Sequence, residues 1–224
     1  MLRDNISRIK ARIASVCAEN KLKPEDVILV CVTKNRSLDE IKEAISCGIT
    51  DIGENRVQEA LSKYNQLSAV RWHLVGHLQT NKVKDAVRIF DFIHSVDSLR
   101  LAQEIDKQAG RIHKIQDILL EVKTSSEATK FGVKPDEVIG VIKEIAGLKN
   151  INLRGLMTIA PVVVKPEDAR PYFRQLRQLR DEMSAFGFWN LGFGILSMGM
   201  TDDFEIALAE GANMIRLGRA IFGG

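Results

Sequence analysis

Apolar residues recur along this chain in two alternating rhythms. Near the start, Ile6, Ile9, Ile13 and Val16 stand three and four residues apart, the spacing of one helix face. Residues 27–32 then run unbroken as Val-Ile-Leu-Val-Cys-Val, too short for a helix and apolar on both faces, as a fully buried strand requires. The run ends on Thr33-Lys34-Asn35, and the capping box of Ser37 and Glu40 opens the next helix. Gly48 should close that helix, because glycine tolerates the left-handed conformation after a last turn.

The rhythms then repeat. Strands are expected at 51–52, 72–75, 92–93, 118–122, 153–157, 194–196 and 214–217, and helices at 57–67, 81–89, 99–108, 136–146, 168–186 and 203–209. Pro135 suits a first helical turn, where its missing N–H would be unpaired anyway. With the first run included, eight strands alternate with helices behind one extra N-terminal helix. Strict alternation implies a parallel sheet, since each return crossover needs a helix. The expected fold is therefore α/β, a single (β/α)8 TIM-type barrel over residues 1–224 with no second β domain. An open doubly wound sheet is the competing architecture.

Composition changes this picture little. A chain of 224 residues, 45% hydrophobic, can bury one sizeable core. Its net charge of +3, with both signs interleaved, argues against a nucleic-acid partner. No apolar stretch reaches a membrane span and residues 1–16 lack a signal-peptide core, so a cytoplasmic protein is expected. Cys17, Cys31 and Cys47 show no CxxC spacing, and Cys31 reads as a small core residue in a reducing compartment.

In a barrel, reactive residues stand at the C-terminal strand ends. There this chain places Thr33-Lys34-Asn35, Gly53-Glu54-Asn55-Arg56, the segment from Gly76 to Lys82, His94-Ser95-Val96-Asp97, Thr158, and Ser197-Met198-Gly199-Met200-Thr201. The last strand contains Arg216 and runs into Gly218-Arg219. The segment from Ser197 to Thr201, with Gly218-Arg219, has the makings of a phosphate cup, though its glycines would also serve tight turns. Lys34, partly desolvated at the mouth, could be a nucleophile toward an aldehyde, or a snorkelling surface lysine. Together, an amine and a phosphate cup suit a phosphorylated aldehyde. Pyridoxal 5′-phosphate (PLP) has both handles, and Arg216 offers a group for its ring nitrogen.

The blocks VTKN, IGENRVQE, RWHLVGHLQTNKVK, IHSVDS, LRGLMTIAP and LSMGMTDDFEIALAEGANMIRLGRAIFG resemble the pyridoxal phosphate homeostasis family, itself similar to the barrel domain of alanine racemase. The resemblance spans nearly the whole chain. It implies PLP held as a Schiff base on Lys34, with Ser197, Gly199, Thr201 and Gly218 around the phosphate. It further implies Arg216 facing the pyridine nitrogen, and Asn55 and His77 lining the ring and its neighbourhood. Two departures stand out. Thr33 replaces the serine more usual before the lysine, keeping the hydroxyl, and the chain ends at Gly224 where many relatives continue, so the final turn is expected to be less protected.

The implied function is that of a PLP carrier in intracellular PLP homeostasis, handing the cofactor to PLP-requiring apoenzymes, without a catalytic site or metal, and monomeric. An arginine opposite the ring nitrogen disfavours its protonation and weakens the cofactor as an electron sink. Alanine racemase offsets this with a tyrosine base from a second domain of the partner subunit. Here the tyrosines are Tyr64 and Tyr172, both in expected helices. A PLP-dependent amino-acid racemase is the alternative, and a sugar-phosphate barrel with a Schiff-base Lys34 a more distant one. His73 and His77 lack the helical face that a zinc pair needs. Arg170, Arg174, Arg177 and Arg180 are expected to form a solvated stripe, with Phe173, Leu176, Leu179, Met183 and Phe186 as core beside them.

Overall fold

The computed structural model describes residues 1–125, 127, 130–185 and 192–223. The parallel strands are β1 (Ile28–Val32), β2 (Asp51–Glu54), β3 (Arg71–Leu74), β4 (Phe92–Val96), β5 (Gln116–Glu121), β6 (Ile151–Met157), β7 (Ile195–Ser197) and β8 (Met214–Leu217). They close in chain order, β8 returning to pair with β1. Closure rules out the open-sheet alternative. The outer helices are α1 (Leu2–Glu19), α2 (Leu38–Ser46), α3 (Val57–Tyr64), α4 (Val83–Ile89), α5 (Leu99–Gly110), α6 (Val138–Ile145), α7 (Arg170–Ala185), α8 (Phe204–Ala209) and the short α9 (Arg219–Phe222). Among the described residues, no helix is long and apolar enough to cross a membrane.

Local chemistry explains most boundaries. Ser37 and Glu40 form the expected reciprocal capping box on α2, and Gly48 after that helix has φ +85°. The extra helix α1 lies against α8 and α9, where Asn5 Nδ2 donates to Ile221 O at 3.0 Å and Arg12 pairs with Glu205 at 2.8 Å. Expected helices at 81, 136 and 168 instead open with tight 3-10 turns at Thr80–Lys82, Pro135–Glu137 and Pro166–Ala169, and the α-helices begin after them. Phe186, expected in the core, lies outside the described residues. Strands β2 and β4 run further than hydropathy implies, to Glu54 and Val96. Their added polar residues Glu54, His94 and Ser95 are buried, which a strand tolerates when its side chains are hydrogen-bonded.

Strand alternation divides the core in two. Outward positions such as Cys31, Ile52, Leu74, Ile93, Ile118 and Leu196 pack beneath the helices. Cys31 is fully buried, and burial pushes its thiol up to about 12. Inward positions form a separate apolar plug of Val30, Val75, Phe92, Leu119, Met157 and Met214. The next inward positions toward the C-terminal ends are Val32, Glu121 and Arg216. The strand register thus sets a polar mouth on an apolar floor.

The arginine stripe on α7 is not simply solvated, as the sequence suggests. Glu210, 2% exposed, accepts from Arg170 Nη1 at 2.9 Å and Arg174 Nη2 at 3.1 Å. Arg177 Nη1 lies 3.0 Å from Oε2, an ion pair outside hydrogen-bond alignment. Burial alone would raise the Glu210 pKa, but these arginines outweigh it and hold the carboxyl below the usual range. Replacing Glu210→Ala should lower unfolding free energy by roughly 2 kcal/mol at neutral pH, from lost charge-assisted bonds. Because the folded pKa is depressed, that contribution should fade as pH falls through it, so denaturation curves of variant and parent should converge in acid.

Candidate functional site at the barrel mouth

Lys34 follows β1 on a tight turn, with Asn35 at φ +58°. The turn is clamped from beneath. Thr33 Oγ1 donates to Glu54 Oε1 at 2.7 Å, and Lys63 Nζ reaches Thr33 O at 2.9 Å, Glu54 at 2.8 Å and Glu59 at 2.8 Å. Asn35 N donates to Glu59 at 2.6 Å. Burial pushes the Glu54 carboxyl above the usual carboxylate range, against hydrogen bonds from Lys63 and Thr33. The Lys34 side chain itself is exposed, which corrects the expectation of a desolvated amine. It sits on the rim, and among the described residues its amine makes no hydrogen bond or ion pair.

Arg216, 4% exposed, is the buried cation of the mouth. Its Nη1 donates to Ser197 Oγ at 2.6 Å and its Nη2 to Thr158 O at 2.9 Å. Burial brings its pKa down to about 10, opposed by Glu121 and Asp203, so it stays charged at neutral pH. From Ser197 a file of hydrogen bonds crosses the barrel interior. Ser197 Oγ meets His94 Nδ1 at 3.0 Å, His94 Nε2 meets His73 Nδ1 at 2.9 Å, and His73 Nε2 meets Asp51 Oδ1 at 2.9 Å. The direction follows from the ends. Arginine can only donate and an ionised aspartate can only accept; with both rings uncharged, each member then donates to the next, from Arg216 to Asp51. Burial, His73 and Arg216 together hold His94 well below its ordinary pKa, hence neutral. Burial opposes ionisation of Asp51, but bonds from His73, Thr50 and Arg71 prevail and keep its pKa low.

This geometry corrects one expectation. Ser197 does not turn its hydroxyl toward a phosphate cup, since it is fully buried and engaged by Arg216 and His94. The other residues expected of the cup stand on the loops after β7 and β8. Arg216 N donates to Gly199 O at 3.0 Å and Ala220 N to Thr201 Oγ1 at 3.3 Å, joining the loops after β7 and β8. Gly199 has φ +94°, and a Cβ there would lie 2.6 Å from the Ala207 Cβ. Among the described residues, the backbone N–H groups of Gly199, Thr201 and Gly218 make no hydrogen bond.

Asn55 and His77 come together at one side, lining a cleft between the loops after β2 and β3. His77 is partly exposed, stacks on Phe131 with ring centres 3.8 Å apart, and lies 3.3 Å from Asp97 Oδ2. His73, by contrast, belongs to the interior file. No group of three metal-ligating side chains forms among the described residues.

The sequence reading passes over Glu121, at the inward mouth end of β5. It is 6% exposed, and burial with the nearby Asp97 raises its pKa to about 7 against the charges of Arg216 and Lys130. It also passes over the interior file and the Lys63 clamp. A signal was present: Asp51, His73, His94, Ser197 and Arg216 are polar residues inside strands, each on its strand's interior-facing side.

A closed eight-strand parallel barrel with a lysine just after β1 is the architecture of the alanine-racemase type of barrel. Residues 2–224 match the family described as alanine racemase, N-terminal domain. The pyridoxal phosphate homeostasis protein of Aquifex aeolicus is 41% identical over 222 residues, covering 98% of this chain and 96% of that one. Synechococcus elongatus PipY, solved with PLP bound, superposes with a TM-score of 0.88 at 35% identity, each chain covered 100%. Alanine racemase of Clostridium difficile, at 18% identity and a TM-score of 0.79, covers 100% of this chain and 59% of its own, a likeness of fold. The chain belongs to the family of pyridoxal phosphate homeostasis proteins.

Two outcomes test this description of the mouth. Lys63→Met should cost about 3–5 kcal/mol in a denaturant titration, because Glu54 would remain buried without its cation. For Glu121 the folded pKa of about 7 exceeds the ordinary 4.5, so the folded state binds the extra proton. Stability should therefore fall as pH rises across that window, by roughly 3 kcal/mol. Glu121→Gln should flatten this part of the stability–pH profile and leave the variant more stable than its parent above it.

Proposed function

We propose that this chain binds PLP at the barrel mouth, with Lys34 holding the aldehyde as a Schiff base, and releases it to PLP-requiring apoenzymes. In this reading it acts as a cytoplasmic monomer made of one barrel domain. The observation that carries the proposal is the donor set after β7 and β8, where the unbonded N–H groups of Gly199, Thr201 and Gly218 lie beside the buried cation Arg216. Such a set fits a phosphate dianion. The family membership, and PLP in the PipY structure, support the same choice of ligand.

When bound, the cofactor supplies an aldehyde that condenses with amines. The residues of the chain divide the remaining work. Gly199, Thr201 and Gly218 would hold the phosphate, and Arg216, fixed by Ser197 and Thr158, would present a permanent positive charge to the ring nitrogen. Asn55 and His77 would flank the ring on the side of β2 and β3. The exposure of Lys34 suits release, since a second amine can approach it from solvent. Tyr64 rests on Trp72 with ring centres 5.5 Å apart, and Tyr172 packs against the core beneath α7, so both serve packing.

The test is direct. Purified protein mixed with PLP should develop a visible absorption band, and borohydride should fix the label on Lys34. Lys34→Ala should lose both. A label on another residue, or no uptake, would overturn the proposal. Racemisation of any amino acid at about 1 per second or faster would replace the carrier by an enzyme.

A further inference from the structure

The blocks GENRVQE and GHLQTNK contribute more to the structure than Asn55 and His77. Together they enclose a cleft of about 430 Å3 between the loops after β2 and β3. Gly76 forms its floor, where a Cβ would fall 2.4 Å from the Asn55 carbonyl oxygen, so only glycine lets the two loops meet. Arg56 and the half-buried Lys82 contribute two positive charges to the lining, and no Asp or Glu contributes to it. The side chains of Asn55, Gln58 and Gln79 add three amides. Among the described residues, none of these five side chains makes a hydrogen bond or ion pair.

The nearby acids are bonded elsewhere. Glu59 accepts from Lys63 and Asn35 and acts on Arg56 only through space, and Asp97 approaches through His77. The cleft also faces the start of α3, whose Arg56 N-cap position supplies no side-chain cap to the first-turn N–H groups. Two unpaired cations, three unpaired amides and an uncapped helix start therefore converge on one concavity. Its place is specific: in barrel order β2 and β3 follow β1, so the cleft adjoins Lys34 on the side away from the cup after β7 and β8.

We propose that this cleft is a second anion site, taking a compact oxyanion, the carboxylate or phosphate of a small molecule, beside the amine end of the mouth. It shares Asn55 and His77 with the ring site proposed above, but its charged residues, Arg56 and Lys82, have no part in that reading. A partly desolvated lysine and an arginine acting with backbone donors favour a planar or tetrahedral oxyanion over a neutral ligand. Loss of one cation should weaken binding about tenfold or more.

The experiment uses the full chain labelled with 15N. Sodium acetate and inorganic phosphate are titrated separately while the amides of Gln58, Gly76, Gln79 and Lys82 are followed by NMR. Saturable shifts at these amides are expected, with dissociation constants on the order of 1 mM. Acetate alone acting would identify a carboxylate ligand, phosphate alone a phosphate ester, and both a general oxyanion site. Arg56→Met combined with Lys82→Met should weaken the response at Gly76 by at least about tenfold. Phosphate shifts at Gly199 and Gly218 should persist in that variant, which separates this cleft from the cup and shows the fold intact. No response to either anion at the cleft, or an undiminished response in the double variant, would overturn the proposal, whatever borohydride labelling shows at Lys34.

Discussion

The constraint on which the rest of the structure depends is a guanidinium inside a barrel. Arg216 is nearly sealed from water yet keeps its charge, and a buried cation is tolerable only where hydrogen bonds and opposite charges offset its lost hydration. Ser197 and Thr158 each accept one of its hydrogen bonds, but a neutral hydroxyl is a modest partner for a full charge. Glu121 and Asp203 act on it through space, and the hydrogen-bonded file leads from Ser197 through His94 and His73 to Asp51 at the start of β2. The interior therefore cannot be uniformly apolar. It is an apolar plug threaded by one polar line, and the line fixes where the arginine stands.

Barrel closure turns this line into a site. Because the strands are parallel and closed, their C-terminal ends meet on one rim, and residues far apart in sequence become neighbours. Lys34 and the Gly218 loop stand on adjacent strands although nearly the whole chain separates them. Hydrogen bonds hold the turn above the buried Lys63 and join the loops after β7 and β8. Lys34 itself is left on the exposed rim. The amine end of the mouth is thus open to water while the turn that carries it is hydrogen-bonded from beneath.

Much of this was legible in the sequence, and the reasons are physical. Strand and helix periods are short-range properties, so eight units and their order could be read from spacing, and the Ser37 box and Gly48 stop from residue type. The residues of the mouth were legible because polar side chains interrupt apolar runs where strands end. What escaped was set by three-dimensional partners. The hydroxyl of Ser197 faces His94, more than a hundred residues earlier in the chain, and no local pattern reveals that. The exposure of Lys34 depends on turn geometry, and the state of Glu121 on charges brought in by other strands. The arginines of α7 looked like a solvated stripe because Glu210 lies one helix away in sequence and beside them in space.

The interior file has a further property. With both rings uncharged, every link in it, from Arg216 through Ser197, His94 and His73 to Asp51, passes its hydrogen onward in the same sense. Such a file obeys a rule like that of ice: one donor and one acceptor per junction, with the polarity of the whole imposed by its two termini. No single imidazole can reverse its tautomer without placing two hydrogens, or none, at a junction. The barrel interior therefore stores one orientation as a unit, so that a change of charge at the floor would register at the mouth without any strand having moved.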